Sequence, residues 1–170
     1  RYIDVKDFDL SDEEIEELNY IYEKISNHYP IQYIFNKAHF YGLDFYVDEH
    51  VLIPRPETEE LVEWIIESQK SKVKSQKLEI LDIGTGTGCI PISLKTNLLQ
   101  ANVSAIDVSE KALEVAKRNA QSNKVEVNFI QTNILEVEDL NQHFDIIVSN
   151  PPYVRNLEKQ EIKNNVLEYE

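Results

Sequence analysis

Glycines cluster in one short segment of the 170-residue sequence, with a spacing that could hold a ligand. Three of the four glycines fall within five residues, in Asp82-Ile83-Gly84-Thr85-Gly86-Thr87-Gly88. Glycine lets the backbone turn sharply and approach a ligand, and a helix N-terminus offers free N–H groups to an anion. A structural turn would need only one glycine, so the segment predicts a cofactor site. Its G-x-G-x-G spacing differs from the dinucleotide pattern and favours a ligand that carries a carboxylate.

Asp107 is a second candidate, at the end of the next predicted strand. Ligands of open α/β sheets lie across the carboxyl ends of the strands, where an acid can accept the hydroxyls of a ribose. Taken alone, this acid would more simply cap the helix that follows. Its place after the glycine segment instead predicts a contact with a nucleoside.

The string Asn150-Pro151-Pro152-Tyr153 follows the fourth predicted strand. Two consecutive prolines fix φ and remove two N–H donors, which leaves carbonyl groups and the Asn150 amide oxygen as acceptors. Such a loop can bind a planar NH₂ group, and the ring of Tyr153 can stack on it. Pro-Pro loops are common, so the prediction rests on the position of this loop after a strand.

The hydrophobic pattern predicts the elements that position these residues. Ser11 and Glu14 form a capping box for a helix that runs to Ser26, and a β-hairpin is expected around Gly42. A further helix begins at Pro56. From Leu78 onward, strands alternate with helices; strands are predicted over 78–83, 102–106, 125–130 and 144–148, and helices over 88–99 and 109–122. This alternation of strands and helices indicates an α/β fold with a Rossmann-like, doubly wound, mainly parallel sheet.

Composition excludes some classes of function. Seventeen Lys and Arg stand against 31 Asp and Glu, a net charge of −14, which disfavours a nucleic-acid substrate without excluding it. The apolar runs are far shorter than the roughly 18 residues of a membrane span. One cysteine, Cys89, and scattered histidines offer no metal-ligand spacing, so we expect no metal site. A reducing, cytoplasmic setting fits this composition.

The glycine segment and the Asn-Pro-Pro-Tyr string resemble the cofactor loop and the amino-methylating signature of class I S-adenosylmethionine-dependent methyltransferases. Three further blocks resemble the HemK/PrmC family: Pro-Ile-Gln-Tyr-Ile at 30–34, Phe-Tyr-Gly-Leu at 40–43, and residues 51–63, which contain Pro-Arg-Pro-Glu-Thr-Glu. Members of that family methylate the side-chain amide nitrogen of the Gln in the Gly-Gly-Gln motif of peptide-chain release factors. The resemblance extends from about Ser11 over nearly the whole chain.

This resemblance implies a cofactor, S-adenosyl-L-methionine, a protein partner, the release factors, and a set of site residues. It implies catalytic roles for Asn150, Pro151 and Tyr153, and substrate contacts for these three together with Pro152, Arg55 and Glu57. The implied cofactor-binding residues are Asp82, Gly84, Thr85, Gly86, Thr87, Gly88, Asp107, Asn133, Ile134 and Asn150. The chain departs from the family at Phe35-Asn36, where Gly is usual, and at Asn133, where Asp is usual near the adenine.

The resemblance also divides the chain into regions and leaves alternatives open. Residues 1–29 would be the remnant of a helical substrate-recognition domain, 30–55 a β-hairpin linker, and 56–170 a methyltransferase domain that ends after its fourth strand. The sequence has no Met and stops shortly after the Asn-Pro-Pro-Tyr string, so we expect a fragment. Without the later strands of the family's sheet its site would be incomplete, so we expect weak or no activity of its own. The alternatives are an amino methyltransferase for adenine or guanine, a glutamine methyltransferase for a ribosomal protein, and a non-catalytic nucleotide-binding protein.

Overall fold

The computed structural model describes residues 10–70 and 77–151. Its N-terminal part contains a long helix, a short helix and a hairpin: α1 (Asp12–Ser26), α2 (Ile31–Ile34), β1 (Ala38–Phe40) and β2 (Leu43–Phe45). The predicted capping box is confirmed, because Ser11 Oγ accepts the Glu14 N–H at 3.3 Å and the Glu14 carboxylate accepts the Ser11 N–H at 2.8 Å. The sequence pattern does not predict α2, a single turn that follows Pro30.

The hairpin turns through Tyr41 and Gly42, whose φ angles are +48° and +75°. Two successive residues with positive φ are typical of tight hairpin turns. The N–H of Tyr41 donates to the Glu59 carboxylate at 2.8 Å, which connects the turn to the next helix, α3 (Pro56–Lys70). Pro56 opens α3 as predicted, since the first helical position needs no N–H donor.

A four-stranded parallel sheet forms the rest of the fold. Its strands are β3 (Glu79–Ile83), β4 (Asn102–Asp107), β5 (Asn128–Gln131) and β6 (Ile146–Ser149), in the order β5-β4-β3-β6. Helices α4 (Cys89–Asn97) and α5 (Glu110–Ser122) connect the first three strands. The predicted α/β fold, with a parallel sheet after a helix and a hairpin, is confirmed. Strand β5 begins three residues later than predicted, because it pairs with β4 only from Asn128, opposite Ser104.

The main hydrophobic core lies between one face of the sheet and helices α3 and α4. Directly paired residues share a face, and Ile80, its partner Val103 and Val148 belong to this core with Val62 of α3 and Ile92 of α4. On the opposite face, Leu81 is 1% exposed and Ile147 is 61% exposed. Among the described residues, no helix is long and apolar enough to cross a membrane.

Candidate functional site

The carboxyl ends of the four strands bring the predicted site residues to one edge of the sheet. The glycine segment follows β3, and both Gly84 and Thr85 donate their N–H groups to the carbonyl of Ile106 in β4, at 2.9 and 3.1 Å. On the other side of β3, Ser149 Oγ donates to the Ile83 carbonyl at 2.8 Å. Asp107, the glycine segment and Asn150 therefore lie at the ends of three adjacent strands.

The three glycines of this segment have positive φ but different surroundings. Their φ angles are +75° at Gly84, +52° at Gly86 and +78° at Gly88. A Cβ at Gly84 or Gly86 would have no heavy atom within 4 Å, whereas one at Gly88 would lie 3.0 Å from Ile92 Cδ1 and 3.1 Å from Ala116 Cβ. The first two glycines thus face open space that a ligand can occupy, and Gly88 allows the segment to pack closely on α5.

Replacing Gly88 by Ala should destabilise the protein more than replacing Gly42 by Ala. Both positions have nearly the same positive φ, but a Cβ at Gly42 has nothing within 4 Å. Each alanine should therefore lose roughly 1–2 kcal/mol of stability to left-handed backbone strain. At Gly88 alone, overpacking against Ile92 and Ala116 should cost roughly 1–3 kcal/mol more. Urea unfolding of the two variants measures the difference. Equal losses of stability would show that the contact with α5 is not tight.

Asp107 uses both carboxylate oxygens to shape the segment. Oδ2 accepts the N–H of Gly86 at 2.9 Å, and Oδ1 accepts the N–H of Ser109 at 2.9 Å. The acid therefore stabilises the start of α5, as its simpler interpretation in the sequence has it. It also lies at the strand end beside the glycines, where its predicted contact with a nucleoside stays a prediction. Each carboxylate oxygen has a further lone pair, and the side chain is only partly buried, so it can still accept hydroxyl donors.

Asp82 is a buried acid beneath the glycine segment. It is 1% exposed, and among the described residues neither of its carboxyl oxygens nor the buried Thr85 hydroxyl has a hydrogen-bond partner of normal geometry. Burial raises the pKa of Asp82 to about 7, the Thr85 hydroxyl opposes that rise, and the charge of Asp107 adds to it. Unpartnered buried oxygens of this kind fit a ligand that brings its own donor group.

This pKa predicts how stability should change with pH. An acid whose pKa is near 3.8 when unfolded and about 7 when folded binds more protons in the folded state between those values. Its contribution to stability therefore falls as pH rises from about 4 through 7. Asp82→Asn mimics the neutral acid and does not titrate. The free energy of unfolding of the variant minus that of the wild type should therefore be larger at pH 8 than at pH 5. Denaturant midpoints at the two pH values test this, and a constant difference would contradict it.

Asn119, on α5, is a residue that the sequence analysis missed. It is fully buried; its Oδ1 accepts the Tyr46 N–H at 2.7 Å, and its Nδ2 donates to the carbonyls of Tyr46 and Thr87, both at 2.9 Å. One amide thus connects the segment after the hairpin, the glycine segment and α5. The only signal in the sequence is a polar residue on the apolar face of a helix.

Asn150 lies at the end of β6 and contacts the start of α3. Its Nδ2 donates to Thr58 Oγ1 at 3.1 Å, and Thr58 is buried, at 8% exposed. Pro151, the next residue, is exposed. Pro152 and Tyr153 lie outside the described residues, so their predicted roles stay predictions. The contact joins the Asn-Pro-Pro-Tyr string to the Pro-Arg-Pro-Glu-Thr-Glu segment, which the sequence places 92 residues apart.

Arg55 and Glu57, the predicted substrate contacts, lie on either side of Pro56. Arg55 is partly buried, and its backbone carbonyl accepts the Thr58 N–H at 3.0 Å; Glu57 is exposed. Burial raises the pKa of the Tyr33 hydroxyl to about 12, and the positive charge of Arg55 opposes that rise. The Tyr33 hydroxyl itself donates to the carbonyl of Val51 at 2.7 Å. The segment before α3 is thus held by buried contacts, with Glu57 on its outer side.

Asn133 and Ile134, the predicted adenine contacts, follow β5 at the same edge of the sheet. Asn133 Nδ2 donates to the Glu136 carboxylate at 2.8 Å, and its Oδ1 accepts the Leu135 N–H at 3.1 Å. The amide therefore stabilises its own turn. Ile134 is partly buried. Their roles toward a cofactor stay predictions.

A polar hollow of about 420 Å³ lies at the opposite end of the sheet, where the strands begin. Its lining includes Glu79, Asn102 and Asn128, the first residues of β3, β4 and β5. Ligands of open α/β sheets bind at the carboxyl ends of the strands. This hollow is therefore separate from the predicted site.

Comparison with known proteins identifies the family. Residues 63–169 match the model of the methyltransferase small domain. The chain belongs to this methyltransferase family. It is 65% identical to the release factor glutamine methyltransferase of Flavobacterium psychrophilum over 141 residues, which cover 83% of this chain and 50% of that protein. It is 44% identical to the enzyme of the same name from Bacteroides thetaiotaomicron, over 97% of this chain and 58% of that protein.

These relatives confirm the predicted resemblance to the HemK/PrmC family, and the chain spans about half of their length. The fold is also similar to that of a Pyrococcus abyssi tRNA (uracil-54, C5)-methyltransferase solved with S-adenosyl-L-homocysteine. The TM-score is 0.53 at 21% identity, over 78% of this chain and 30% of that one. That similarity confirms the predicted class I methyltransferase fold.

Proposed function

We propose that the protein containing this chain transfers a methyl group from S-adenosyl-L-methionine to the side-chain amide nitrogen of the Gln in the Gly-Gly-Gln motif of peptide-chain release factors. The observation that carries the proposal is the position of Asn150, an amide held at the end of β6, beside the strand that leads into the glycine segment. The 65% identity to a release factor glutamine methyltransferase supports this choice of substrate.

The residues at the sheet edge fit the cofactor. The open space at Gly84 and Gly86 admits a ligand close to the backbone. The unpartnered oxygens of Asp82 can accept hydrogen bonds from an ammonium group, and the remaining lone pairs of Asp107 can accept ribose hydroxyls. The cofactor, when bound, supplies a methyl group activated by a sulfonium. We assign the other predicted cofactor contacts, Thr85, Thr87, Gly88, Asn133, Ile134 and Asn150, to the same site.

The substrate amide needs to be oriented, because its nitrogen lone pair is delocalised into the carbonyl. Asn150 Oδ1 and the carbonyl of Pro151 can each accept one N–H of the glutamine side chain, which aims the nitrogen at the methyl group. Orientation of two reactants can lower a barrier by up to roughly 7–11 kcal/mol, and fixed dipoles add to this. No general base is needed before transfer, since the proton can leave once the methylated nitrogen is acidic. Tyr153 and Pro152 would hold the amide plane.

The same proposal assigns the remaining regions. Residues 1–29 would belong to a domain that recognises the release factor, 30–55 to a linker, and 56–170 to the methyltransferase domain. Arg55 and Glu57 would contact the protein substrate at the entrance to the site, as their position at the start of α3 allows. Release factors act on ribosomes, so the enzyme would work in the cytoplasm.

Methyl transfer to defined substrates tests the proposed function. The full-length protein is incubated with radiolabelled S-adenosyl-L-methionine and with a release factor, a release factor with Gly-Gly-Ala in place of Gly-Gly-Gln, a ribosomal protein fraction, or DNA and RNA. Label should appear at one Gln of the intact release factor and be absent from the Gly-Gly-Ala protein. Label confined to nucleic acid or to a ribosomal protein would overturn the proposal in favour of that substrate.

A further inference from the structure

Thr58 is the residue of the Pro-Arg-Pro-Glu-Thr-Glu segment that contacts the candidate reactive amide. Its Oγ1 lies 3.1 Å from Asn150 Nδ2, and the residue is 8% exposed. The predicted substrate contacts in the same segment are Arg55 and Glu57, and no local pattern singles out Thr58. Only the tertiary structure reveals this contact.

The position of Thr58 is fixed by its surroundings. The residue lies in the first turn of α3, where its N–H donates to the Arg55 carbonyl at 3.0 Å. One turn further on, Val62 is fully buried in the core, and Ile65 and Ile66 pack there as well. A side chain on a well-packed helix holds its neighbour more precisely than one on a loop. Asn150, by contrast, lies just past the end of β6, in the loop that begins there.

The orientation of the Asn150 amide decides what it can offer to a substrate. Its two ends are an acceptor oxygen and a donor NH₂ group, and rotation by about 180° exchanges them. A glutamine NH₂ group needs an acceptor, so only one of the two orientations supports the proposed reaction. A hydrogen bond from Nδ2 to a neighbouring oxygen leaves Oδ1 on the opposite side.

We propose that Thr58 is a positioning residue, whose hydroxyl oxygen accepts from Asn150 Nδ2 and thereby keeps Asn150 Oδ1 directed to the substrate amide. This inference rests on the proposed function for its consequence in catalysis, but the hydrogen bond itself can be tested without any reaction. Thr58 acts through Asn150 and does not touch the substrate.

The kinetic test compares Thr58→Val with Thr58→Ser in the full-length protein. Valine keeps the shape and removes the hydroxyl, whereas serine retains the hydroxyl. We expect Thr58→Val to lower kcat about 10-fold, the equivalent of one hydrogen bond, with cofactor Kd within about 3-fold of the wild type. Thr58→Ser should recover most of kcat. A Thr58→Val enzyme with wild-type kcat, or an equal loss in the serine variant, would overturn the inference while leaving the proposed function in place.

The spectroscopic test is independent of activity. In protein labelled with ¹⁵N-asparagine, the Asn150 side-chain NH₂ signals are assigned by their loss in Asn150→Asp. We expect one of these protons to exchange slowly in the wild type and in Thr58→Ser, and at least 10-fold faster in Thr58→Val, while the Asn133 signals stay unchanged. Fast exchange already in the wild type would show that the amide does not donate to Thr58, and would refute the inference even if methyl transfer is observed.

Discussion

Asn150→Ala is expected to lower the kcat of methyl transfer by roughly 10²–10³-fold in the full-length protein and to leave the Kd for S-adenosyl-L-methionine within about 3-fold of the wild type. Removal of one preorganised group that stabilises the transition state costs about this much in other enzymes. The cofactor should still bind, because Asn150 is only one of its proposed contacts. The glycine segment and Asp107 are held by β3, β4 and α5, without a contact from Asn150 that the structure describes. Calorimetric titration and single-turnover kinetics give the two quantities separately.

Asn133→Ala is the matched control for this variant. Both residues are asparagines that follow parallel strands at the same edge of the sheet, at the ends of β5 and β6. Asn133 binds Glu136 and Leu135 within its own turn. Its replacement can therefore weaken cofactor binding, but kcat at saturating cofactor should stay unchanged. If Asn150→Ala weakened cofactor binding as much as it slowed transfer, Asn150 would have a structural role and not a catalytic one.

Local patterns in the sequence predicted most of the elements. The capping box at Ser11, the first-turn Pro56 and the Ser109 cap place the starts of α1, α3 and α5 within one residue of those observed. Each of these signals acts over three or four residues, so it needs no knowledge of the fold. The single turn α2 was not predicted, because four residues are too few to show helical periodicity.

The candidate site was predictable where it depends on strand ends. The glycine segment, Asp107 and Asn150 each follow an apolar strand, and a parallel sheet brings such positions together by its topology. The roles of Thr58 and Asn119 were not predicted from the sequence, for a different reason. Their partners lie 92 and 73 residues away in the chain, and neither pairing has a local signal. Polar groups that connect distant segments are fixed by tertiary packing, which the sequence pattern does not contain.

Asn119→Ala is expected to lower the free energy of unfolding by about 3–5 kcal/mol, because it removes a fully buried amide that pairs with three backbone groups. These groups are the N–H and carbonyl of Tyr46 and the carbonyl of Thr87, and each unsatisfied buried group costs about 1–3 kcal/mol. The estimate lies below the sum of three full penalties because Tyr46 is only partly buried, so water can replace some of the lost hydrogen bonds. Urea unfolding monitored by circular dichroism measures the change.

Asn123→Ala provides the control one turn further along the chain. Its amide also reaches the hairpin, donating to the carbonyls of Asp44 and Asn119 at 3.0 Å each, but it is partly exposed, so water can replace it. We expect a loss of about 1 kcal/mol there. Because Thr87 belongs to the glycine segment, Asn119→Ala should also weaken cofactor binding, whereas Asn123→Ala should not. Similar losses of stability in the two variants, with cofactor binding intact in both, would mean that Asn119 does not hold the glycine segment in place.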